Sequence, residues 1–217
     1  MPPDNRPIND DQLRIERYYD RAPDYEWNRL ERHAMEWAIT RRVISEHSPE
    51  GSAAILDCGG GPGRYAIWLA QLDNQVTLLD LSAENLRIAQ ERAADANVEL
   101  VDIVHGTATD LSQFGDAQFD VVLLLGPLYH LMTRAEQLKA ITEAKRVLRK
   151  GGTLFVAFLN RFSLVRYLAR FQPELVLQDR RMIDSVLDSG DARSDRYLDA
   201  FSSFSYWAHP AEIEPLM

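Results

Sequence analysis

The sequence predicts an α/β fold with a doubly wound, mostly parallel sheet, and three observations carry that prediction. Apolar strand patterns alternate with amphipathic helix patterns in the order β-α-β-α-β-β-α-β. The strand patterns are nearly continuous apolar runs, which is typical of parallel strands covered by helices on both faces. A glycine-rich turn follows the first strand, where doubly wound sheets bind ligands, so we expect the spatial strand order 3-2-1-4-5.

Each element is assigned from its apolar period and its end signals. Helices are predicted over residues 13–22 and 27–47, because Pro23 separates two amphipathic stretches. Ser82 is the expected N-cap of a later helix, and Gly151-Gly152 are expected to end another. The strands and intervening helices are expected at 53–58, 64–72, 75–81, 82–96, 98–106, 119–126, 133–150 and 153–159.

These patterns divide the chain into three expected parts. Residues 1–50 are expected to form an N-terminal helical lid, and residues 51–160 to form a ligand-binding core of Rossmann-like type. Residues 161–217 are expected to add helices that cap the substrate, followed by a shortened C-terminal segment. In this last part we predict helices over 161–171 and 180–190, an exposed loop over 189–195, and a final helix start near the C-terminus.

Composition and charge restrict the classes of partner. The chain has 217 residues and a formal net charge of −9, with a sequence pI near 5.1. An acidic surface repels phosphate backbones, so no nucleic-acid partner is expected. No membrane partner is expected either, because the sequence has no long apolar run and no secretory signal. The single cysteine, Cys58, excludes an intrachain disulfide and fits a reducing, cytoplasmic location.

The turn after the first strand, ILDCGGGPGRY, places four glycines in five positions. Glycine tolerates positive φ and lets a ligand approach the backbone, and the next helix offers unpaired N–H groups at its start. The dinucleotide fingerprint G-x-G-x-x-G is incomplete, because Arg64 is sixth from Gly59, although G-x-G-x-x-A survives from Gly61 to Ala66. A tight turn without a ligand is the alternative, but four glycines exceed what a turn needs.

The stretch ILDCGGGPGRYAIWLA resembles the first motif of class I S-adenosylmethionine-dependent methyltransferases. The resemblance implies that Asp57 lies near the amino group of the cofactor and that Asp80 binds both ribose hydroxyls. A carboxylate can accept two hydrogen bonds from a cis-diol, whereas the structural alternative for Asp80 is an N-cap network with Ser82. The resemblance also implies that the methionine portion lies over Gly59, Gly61 and Gly63.

Two further segments of the resemblance concern the adenine ring. Leu81 is expected to lie against the adenine face. The segment HGTATDLSQF resembles the family's G-D-A-x-D-L segment, with Thr107 in place of the usual aspartate. The resemblance implies that the Ala108 N–H reaches a ring nitrogen. Asp110 either substitutes for the missing carboxylate or caps the following turn.

The exit of the fourth strand, FDVVLLLGPLYHL, bears on the substrate class. Family members that methylate exocyclic amines of nucleobases or amides carry N/D-P-P-Y/F there, whereas GPLYHL resembles a group of bacterial and fungal small-molecule methyltransferases. The resemblance implies that the Leu125 carbonyl and Gly126 hold the amino end of the cofactor, and that Tyr129 and His130 face the acceptor.

Tyr129 and His130 are the candidate catalytic residues. Imidazole accepts a proton near neutral pH, so His130 is a candidate base. The alternative is a structural loop histidine bonded to the backbone. Many methyltransferases need no base, because catalysis comes mainly from alignment of the donor, the methyl group and the acceptor.

The N-terminal stretch ERYYDRAPDYEWNRLERH resembles a Y-Y-D…E-W-x-R-L pattern that folds over the cofactor in similar family members. The resemblance implies that Tyr19 binds the methionine carboxylate, and that Arg29 pairs with it or with an acidic acceptor. The alternative is that these aromatic residues dock the helices on the core. Arg64, directly after the glycine turn, has the same two interpretations.

The C-terminal part departs from the family pattern. Similar sequences close with a further helix and an antiparallel pair, strands 6 and 7, whereas this sequence stops at Met217. Either the sequence is truncated or the natural protein is short. If it is complete, the uncovered sheet edge promotes association, so we expect a homodimer or exchanged C-terminal segments. The stretch 161–207 is locally basic and either caps an acidic acceptor or is a solvated helix face; it carries Arg161, Arg166, Arg170, Arg180 and Arg181.

We therefore expect a methyltransferase that moves the methyl group of S-adenosylmethionine to a small-molecule acceptor by in-line displacement, leaving S-adenosylhomocysteine. No metal is expected. One rival is a nicotinamide-dependent oxidoreductase, which would need a Tyr-x-x-x-Lys constellation, but residues 129–133 read YHLMT. The other rival is a catalytically idle, methyltransferase-like binding or regulatory subunit.

Overall fold

A five-stranded parallel sheet forms the centre of the fold. A computed structural model describes residues 9–21, 23–178, 180–191 and 204–217 of the chain. The strand order is β3-β2-β1-β4-β5, which confirms the predicted order. Because β1 pairs with both β2 and β4, the strand order reverses between β1 and β4. The strands are β1 Ala54–Cys58, β2 Gln75–Asp80, β3 Asp102–His105, β4 Phe119–Leu124 and β5 Leu148–Val156.

Helices connect these strands and precede them. The connecting helices are α5 Arg64–Ala70, α6 Ala83–Asp95 and α7 Arg134–Val147. The N-terminal helices are α1 Asp10–Asp20, α2 Pro23–Trp27, α3 Arg29–Arg32 and α4 Ala34–His47. The prediction of one helix over 27–47 is wrong. The chain leaves the helical conformation at His33, where φ is −112° and ψ is 52°, and this break has no proline or glycine to mark it.

The chain divides into two compact units, and each has its own core. The first comprises residues 1–127 and 142–156, and the second residues 128–141 and 157–217. In the first unit the side chains of Ile55, Leu78 and Leu123 are fully buried between the sheet and its helices. The expected division at 50 and 160 stays a prediction.

The second unit contains the remaining helices and a short strand pair. Its helices are α8 Arg161–Phe171, α9 Pro173–Gln178, α10 Arg180–Ser189 and α11 Pro210–Ile213. Strands β6 Leu159–Asn160 and β7 Trp207–Ala208 pair in parallel as a separate two-stranded sheet. The helices predicted over 161–171 and 180–190 are confirmed, whereas residues 192–195 of the predicted loop lie outside the described residues.

Arg161 is buried and hydrogen-bonded within the second unit, which the sequence did not indicate. It is 5% exposed, so it neither faces solvent nor lies on a solvated helix face. Its guanidinium donates to the carbonyl oxygens of Trp207 and Leu187 and forms a 2.7 Å ion pair with Glu212. Arg161 therefore joins α8, α10, β7 and α11 in the second unit. Within the described residues, no helix is both long and apolar enough to cross a membrane.

The junction of α7 and β5 differs from the prediction. Gly151-Gly152 lie inside β5 and do not end the helix. Phe119 of β4 pairs with Leu148, and Val121 pairs with Thr153, so β5 carries extra residues between two paired positions. Gly151 accommodates this irregularity with a φ of +82°. The third strand is also shorter than the predicted run 98–106, because regular pairing with β2 begins only at Asp102.

Gly152→Ala tests the packing of this irregular strand. A Cβ atom at Gly152 would lie 2.6 Å from the carbonyl oxygen of Asp120 and 2.9 Å from Leu148 Cδ1. We expect the free energy of unfolding to fall by about 1–3 kcal/mol, measured by urea denaturation. Gly115→Ala is the matched control, because the nearest atom to its Cβ would be 3.8 Å away. Equal stability of the two variants would contradict the described packing.

Candidate active site

The carboxyl ends of β1 and β2 and the glycine turn form the candidate site. Asp57 lies in β1, Asp80 ends β2, and the turn connects β1 to α5. The turn confirms the expected backbone conformation, because φ is +72°, +58° and +82° at Gly59, Gly61 and Gly63.

Protein packing accounts for two of the glycines directly. A Cβ atom at Gly59 would clash with the ring of Pro127, and one at Gly60 would clash with the Asp57 carboxylate. The turn therefore lacks side chains at these positions because neighbouring protein groups occupy the space. Packing within the protein therefore explains part of the glycine content that was attributed to a ligand.

The other two glycines have different surroundings. A Cβ atom at Gly63 would lie 3.1 Å from Ala89 Cβ, so this glycine permits close packing of the turn on α6. At Gly61 the nearest atom would be Glu26 Cγ, at 3.7 Å, which is an ordinary contact. Gly61 is therefore the position of the turn where a ligand has room to approach the backbone.

Asp57 carries a buried carboxylate oxygen that has no partner. The residue is 1% exposed, and its Oδ2 atom accepts no hydrogen bond within the part of the chain that the structure describes. Burial, with a smaller contribution from the charge of Asp80, raises the pKa of Asp57 to about 7, against the effect of a hydrogen bond from the Ala66 N–H. An orphaned buried acceptor at the end of a strand is suited to a ligand that donates hydrogen bonds.

Asp80 ties the glycine turn to the start of α6. Its Oδ2 accepts the Gly61 N–H at 2.8 Å, and its Oδ1 accepts the Ser82 N–H at 2.9 Å and Asn85 Nδ2 at 3.3 Å. Ser82 caps α6 as predicted, by accepting the Asn85 N–H at 3.1 Å. Burial raises the pKa of Asp80, and the charge of Glu26 adds a smaller increase, whereas these donors lower it. The N-cap network considered for Asp80 is therefore present.

Thr107 and Ala108, expected near the adenine ring, are both 5% exposed. Gln12 of α1 donates through Nε2 to Thr107 Oγ1 at 3.1 Å and to Thr109 Oγ1 at 3.5 Å. The Thr107 hydroxyl therefore already has a protein partner from the N-terminal helices. The isolated bridge between Thr107 and Asp110 is consistent with the turn assigned to this segment.

Helix α1 contacts the same edge of the sheet through two further polar side chains. Glu16 lies 3.4 Å from His105 Nε2, an atom that also contacts the Leu81 carbonyl at 2.8 Å. Asp20 accepts the Ser82 hydroxyl at 2.6 Å. Gln12, Glu16 and Asp20 are four residues apart and share one helix face. The sequence analysis missed this polar face, although its spacing was readable.

Arg29 is held by two glutamates. Its Nε atom bonds Glu26 Oε1 at 2.7 Å, and its Nη1 atom lies 2.9 Å from both carboxylate oxygens of Glu36. The expected pairing of Arg29 with a ligand carboxylate stays a prediction. Tyr19 packs edge-on against Tyr18, with ring centroids 5.2 Å apart.

The aromatic residues of the N-terminal helices dock on α5 and α6. The guanidinium groups of Arg64 and Arg92 lie 4.8 Å and 5.2 Å from the ring centroid of Trp27. Arg64 also lies 3.3 Å from Glu31. These contacts favour the docking interpretation for Trp27 and Arg64.

Leu125 and Gly126 follow β4 in the first unit, and Leu125 packs partly buried against its core. Tyr129 and His130 belong to the second unit. His130 Nδ1 lies 2.9 Å from the carbonyl oxygen of Phe204, so the backbone-bonded alternative is present. Burial lowers the pKa of His130 to about 4. Across the described ranges, no group of three or more histidine, cysteine or carboxylate side chains is arranged to hold a metal ion.

Comparison with known proteins connects this site to methyltransferases. Residues 56–156 match a family described as a methyltransferase domain. A tRNA 5-carboxymethoxyuridine methyltransferase of Escherichia coli K12 is 31% identical over 137 residues, which are 63% of this chain and 51% of that protein. A ubiquinone biosynthesis O-methyltransferase of Caulobacter vibrioides is 32% identical over 145 residues, which are 66% of this chain and 56% of that protein. The chain spans about half the length of these curated relatives.

Solved structures agree on the fold. An S-adenosylmethionine-dependent methyltransferase of Methanosarcina mazei matches with a TM-score of 0.61 and 23% identity, covering 80% of this chain and 81% of that one. The family match over residues 56–156 and this structural match therefore agree on a methyltransferase-type fold. The curated relatives are named as methyltransferases, and the solved structure is described as S-adenosylmethionine-dependent. Membership of the GPLYHL-containing group stays a prediction.

The raised pKa of Asp57 predicts a pH-dependent stability. The folded-state pKa of about 7 exceeds the ordinary value of 3.8, so the folded chain binds the proton more tightly. Stabilisation by this group is full below the ordinary pKa and is lost as pH rises through 7. Between about pH 5 and pH 8, the free energy of unfolding should fall by about 1–3 kcal/mol more in the unaltered chain than in Asp57→Asn. Urea titrations with the same pH response in both proteins would contradict this.

Proposed function

We propose that this chain is an S-adenosylmethionine-dependent methyltransferase acting on a small-molecule acceptor. The observation that carries the proposal is the buried Oδ2 of Asp57, which borders Gly60 of the turn and has no hydrogen-bond partner among the described residues. The amino group of the cofactor donates hydrogen bonds and carries a positive charge, so it suits an orphaned carboxylate oxygen in a low-dielectric turn. Asp80, at the end of the next strand, takes the ribose.

The chain's own residues bind and orient the two reactants. The cofactor supplies a methyl group on a sulfonium that is a good leaving group. Asp57 anchors the amino group of the cofactor, and Asp80 anchors its ribose. The N-terminal helices act as a lid that excludes water. Leu81 and Ala108 take the adenine, and the Leu125 carbonyl with Gly126 takes the amino end. Tyr19 and Arg29 are assigned to the methionine carboxylate. Thr107 is assigned to a weaker contact with the adenine.

Tyr129 and His130 are assigned to the acceptor. With a pKa near 4, His130 is neutral at physiological pH and is a weak base. Donation of its Nδ1 proton to the Phe204 carbonyl leaves Nε2 as the acceptor nitrogen of the ring. We therefore assign His130 to orientation of the acceptor, with alignment as the main source of catalysis.

A small-molecule acceptor is favoured over a nucleic acid by charge. The formal net charge of −9 opposes binding of a phosphate backbone. The relatives named for ubiquinone biosynthesis are consistent with this choice, whereas the relative named for tRNA is not. We also propose that the protein is cytoplasmic, that it has no membrane partner and that it forms a homodimer.

Asp80→Ala separates the enzyme from a catalytically idle subunit. We expect the unaltered chain to bind S-adenosylmethionine and S-adenosylhomocysteine in isothermal titration calorimetry. The variant should bind both at least about tenfold more weakly, because a charge-assisted hydrogen bond is lost. Circular dichroism checks that the variant is folded. Failure of the unaltered chain to bind either compound would favour the idle subunit.

Gly61→Val tests the position of the cofactor in the turn. Both Gly61 and Gly51 have positive φ, at +58° and +86°, and neither has an atom closer than 3.7 Å to its Cβ position. Valine therefore introduces similar backbone strain at both sites. We expect Gly61→Val to abolish cofactor binding by calorimetry and Gly51→Val to retain it. Normal binding by Gly61→Val would refute this placement.

A further inference from the structure

The acceptor capacity of Asp80 is too small for the role that the resemblance implies. A carboxylate has about four lone-pair sites, and three donors already occupy Asp80. Oδ1 accepts two of these hydrogen bonds, so one site remains on Oδ2. The two hydroxyls of a ribose need two acceptors. If the proposed function holds, a second acceptor close to Asp80 would complete the recognition of the two hydroxyls.

Glu26 of α2 is an acidic residue whose side chain lies close to Gly61 of the turn. Its Cγ atom is the closest neighbour of the Cβ position on Gly61, at 3.7 Å. The Gly61 N–H in turn donates to Asp80 at 2.8 Å. The negative charge of Glu26 also acts on Asp80. Glu26 and Asp80 therefore both lie close to Gly61.

Glu26 is held in place with acceptor capacity to spare. Arg29 Nε donates to its Oε1 at 2.7 Å, and the same guanidinium is fixed from the other side by Glu36. This ion pair holds Glu26 in a partly buried position, with 21% of its side chain exposed. The contact with Arg29 uses one carboxylate oxygen and leaves Oε2 as an acceptor.

A second, independent observation indicates that a ligand occupies this turn. Asp57 Oδ2, which borders the adjacent Gly60, is buried and has no hydrogen-bond donor among the described residues. The negative charges of Glu26 and Asp80 repel each other unless a donor group lies between the two carboxylates. A diol that donates one hydrogen bond to each carboxylate satisfies both the geometry and the charge.

We propose that Glu26 is a cofactor-binding and specificity-determining residue: it accepts a hydrogen bond from one ribose hydroxyl, while Asp80 accepts one from the other. The proposal rests on the proposed function. It assigns α2 a direct part in recognition of the ribose and makes Arg29 a positioning residue for Glu26.

The test removes the carboxylate from the protein and each hydroxyl from the ligand. S-adenosylhomocysteine and its 2′-deoxy and 3′-deoxy analogues are titrated by calorimetry into the unaltered chain and into Glu26→Ala. We expect the variant to bind S-adenosylhomocysteine about ten- to a hundredfold more weakly. For the analogue that lacks the hydroxyl bound by Glu26, both proteins should have the same affinity. The other analogue should still bind the variant more weakly.

Glu46→Ala is the matched control, because it also removes a carboxylate paired with an arginine of the N-terminal helices, Arg42, but does not contact Arg29 or Glu26. It should bind all three ligands as the unaltered chain does. Glu26→Gln preserves the shape of the side chain and should give a smaller loss with the same dependence on the hydroxyl, even if Glu26→Ala unfolds.

Three outcomes overturn the proposal. A loss of the same factor for all three ligands would make Glu26 a structural residue only. No loss for any ligand would remove Glu26 from the site. If S-adenosylhomocysteine does not bind the unaltered chain at all, the proposed function fails first, and this inference fails with it.

Discussion

The carboxylate of Asp80 is the constraint on which the rest of the site depends. It accepts the Gly61 N–H from the turn after β1 and the Ser82 N–H at the start of α6. One side chain therefore fixes the distance between two neighbouring strand ends and the orientation of the helix that follows. The carboxylate is 8% exposed, so these hydrogen bonds act in a low-dielectric environment, where they are strong.

Burial of acidic groups around one turn sets the electrostatics of the site. Asp57 and Asp80 are buried, Glu26 is partly buried, and burial raises the pKa of both aspartates. Native proteins retain such groups when a partner compensates them. Arg29 compensates Glu26, whereas Asp57 Oδ2 has no donor among the described residues. The missing donor at Asp57 Oδ2 favours a ligand that carries positive charge and hydrogen-bond donors.

Helices α1 and α2 make several polar contacts at this edge of the sheet, whereas Leu30 of α3 and Ile44 of α4 pack into the apolar core. Gln12 reaches Thr107, Asp20 reaches Ser82, and Trp27 lies between two guanidinium groups. Contacts of this kind have small net free energies in comparison with apolar burial, because water competes for the same groups. Such an attachment is compatible with the proposed lid.

The sequence by itself determined the strand order, the glycine turn and the two aspartates that close β1 and β2. These features follow from local patterns, because an apolar run and the residue at its end are close together in the chain. The positive φ angles at Gly59, Gly61 and Gly63 were predictable for the same reason.

Only the tertiary structure decided which neighbours those residues have. Gln12 and Thr107 are 95 positions apart in the chain, and no local pattern joins them. The break at His33 and the early start of β5 at Leu148 depend on packing and strand register, which propensity does not encode. The proximity of Glu26 to Gly61 likewise arises because α2 folds back over the turn. The sequence identified the acidic residues, whereas the folded chain decided which of them face one another.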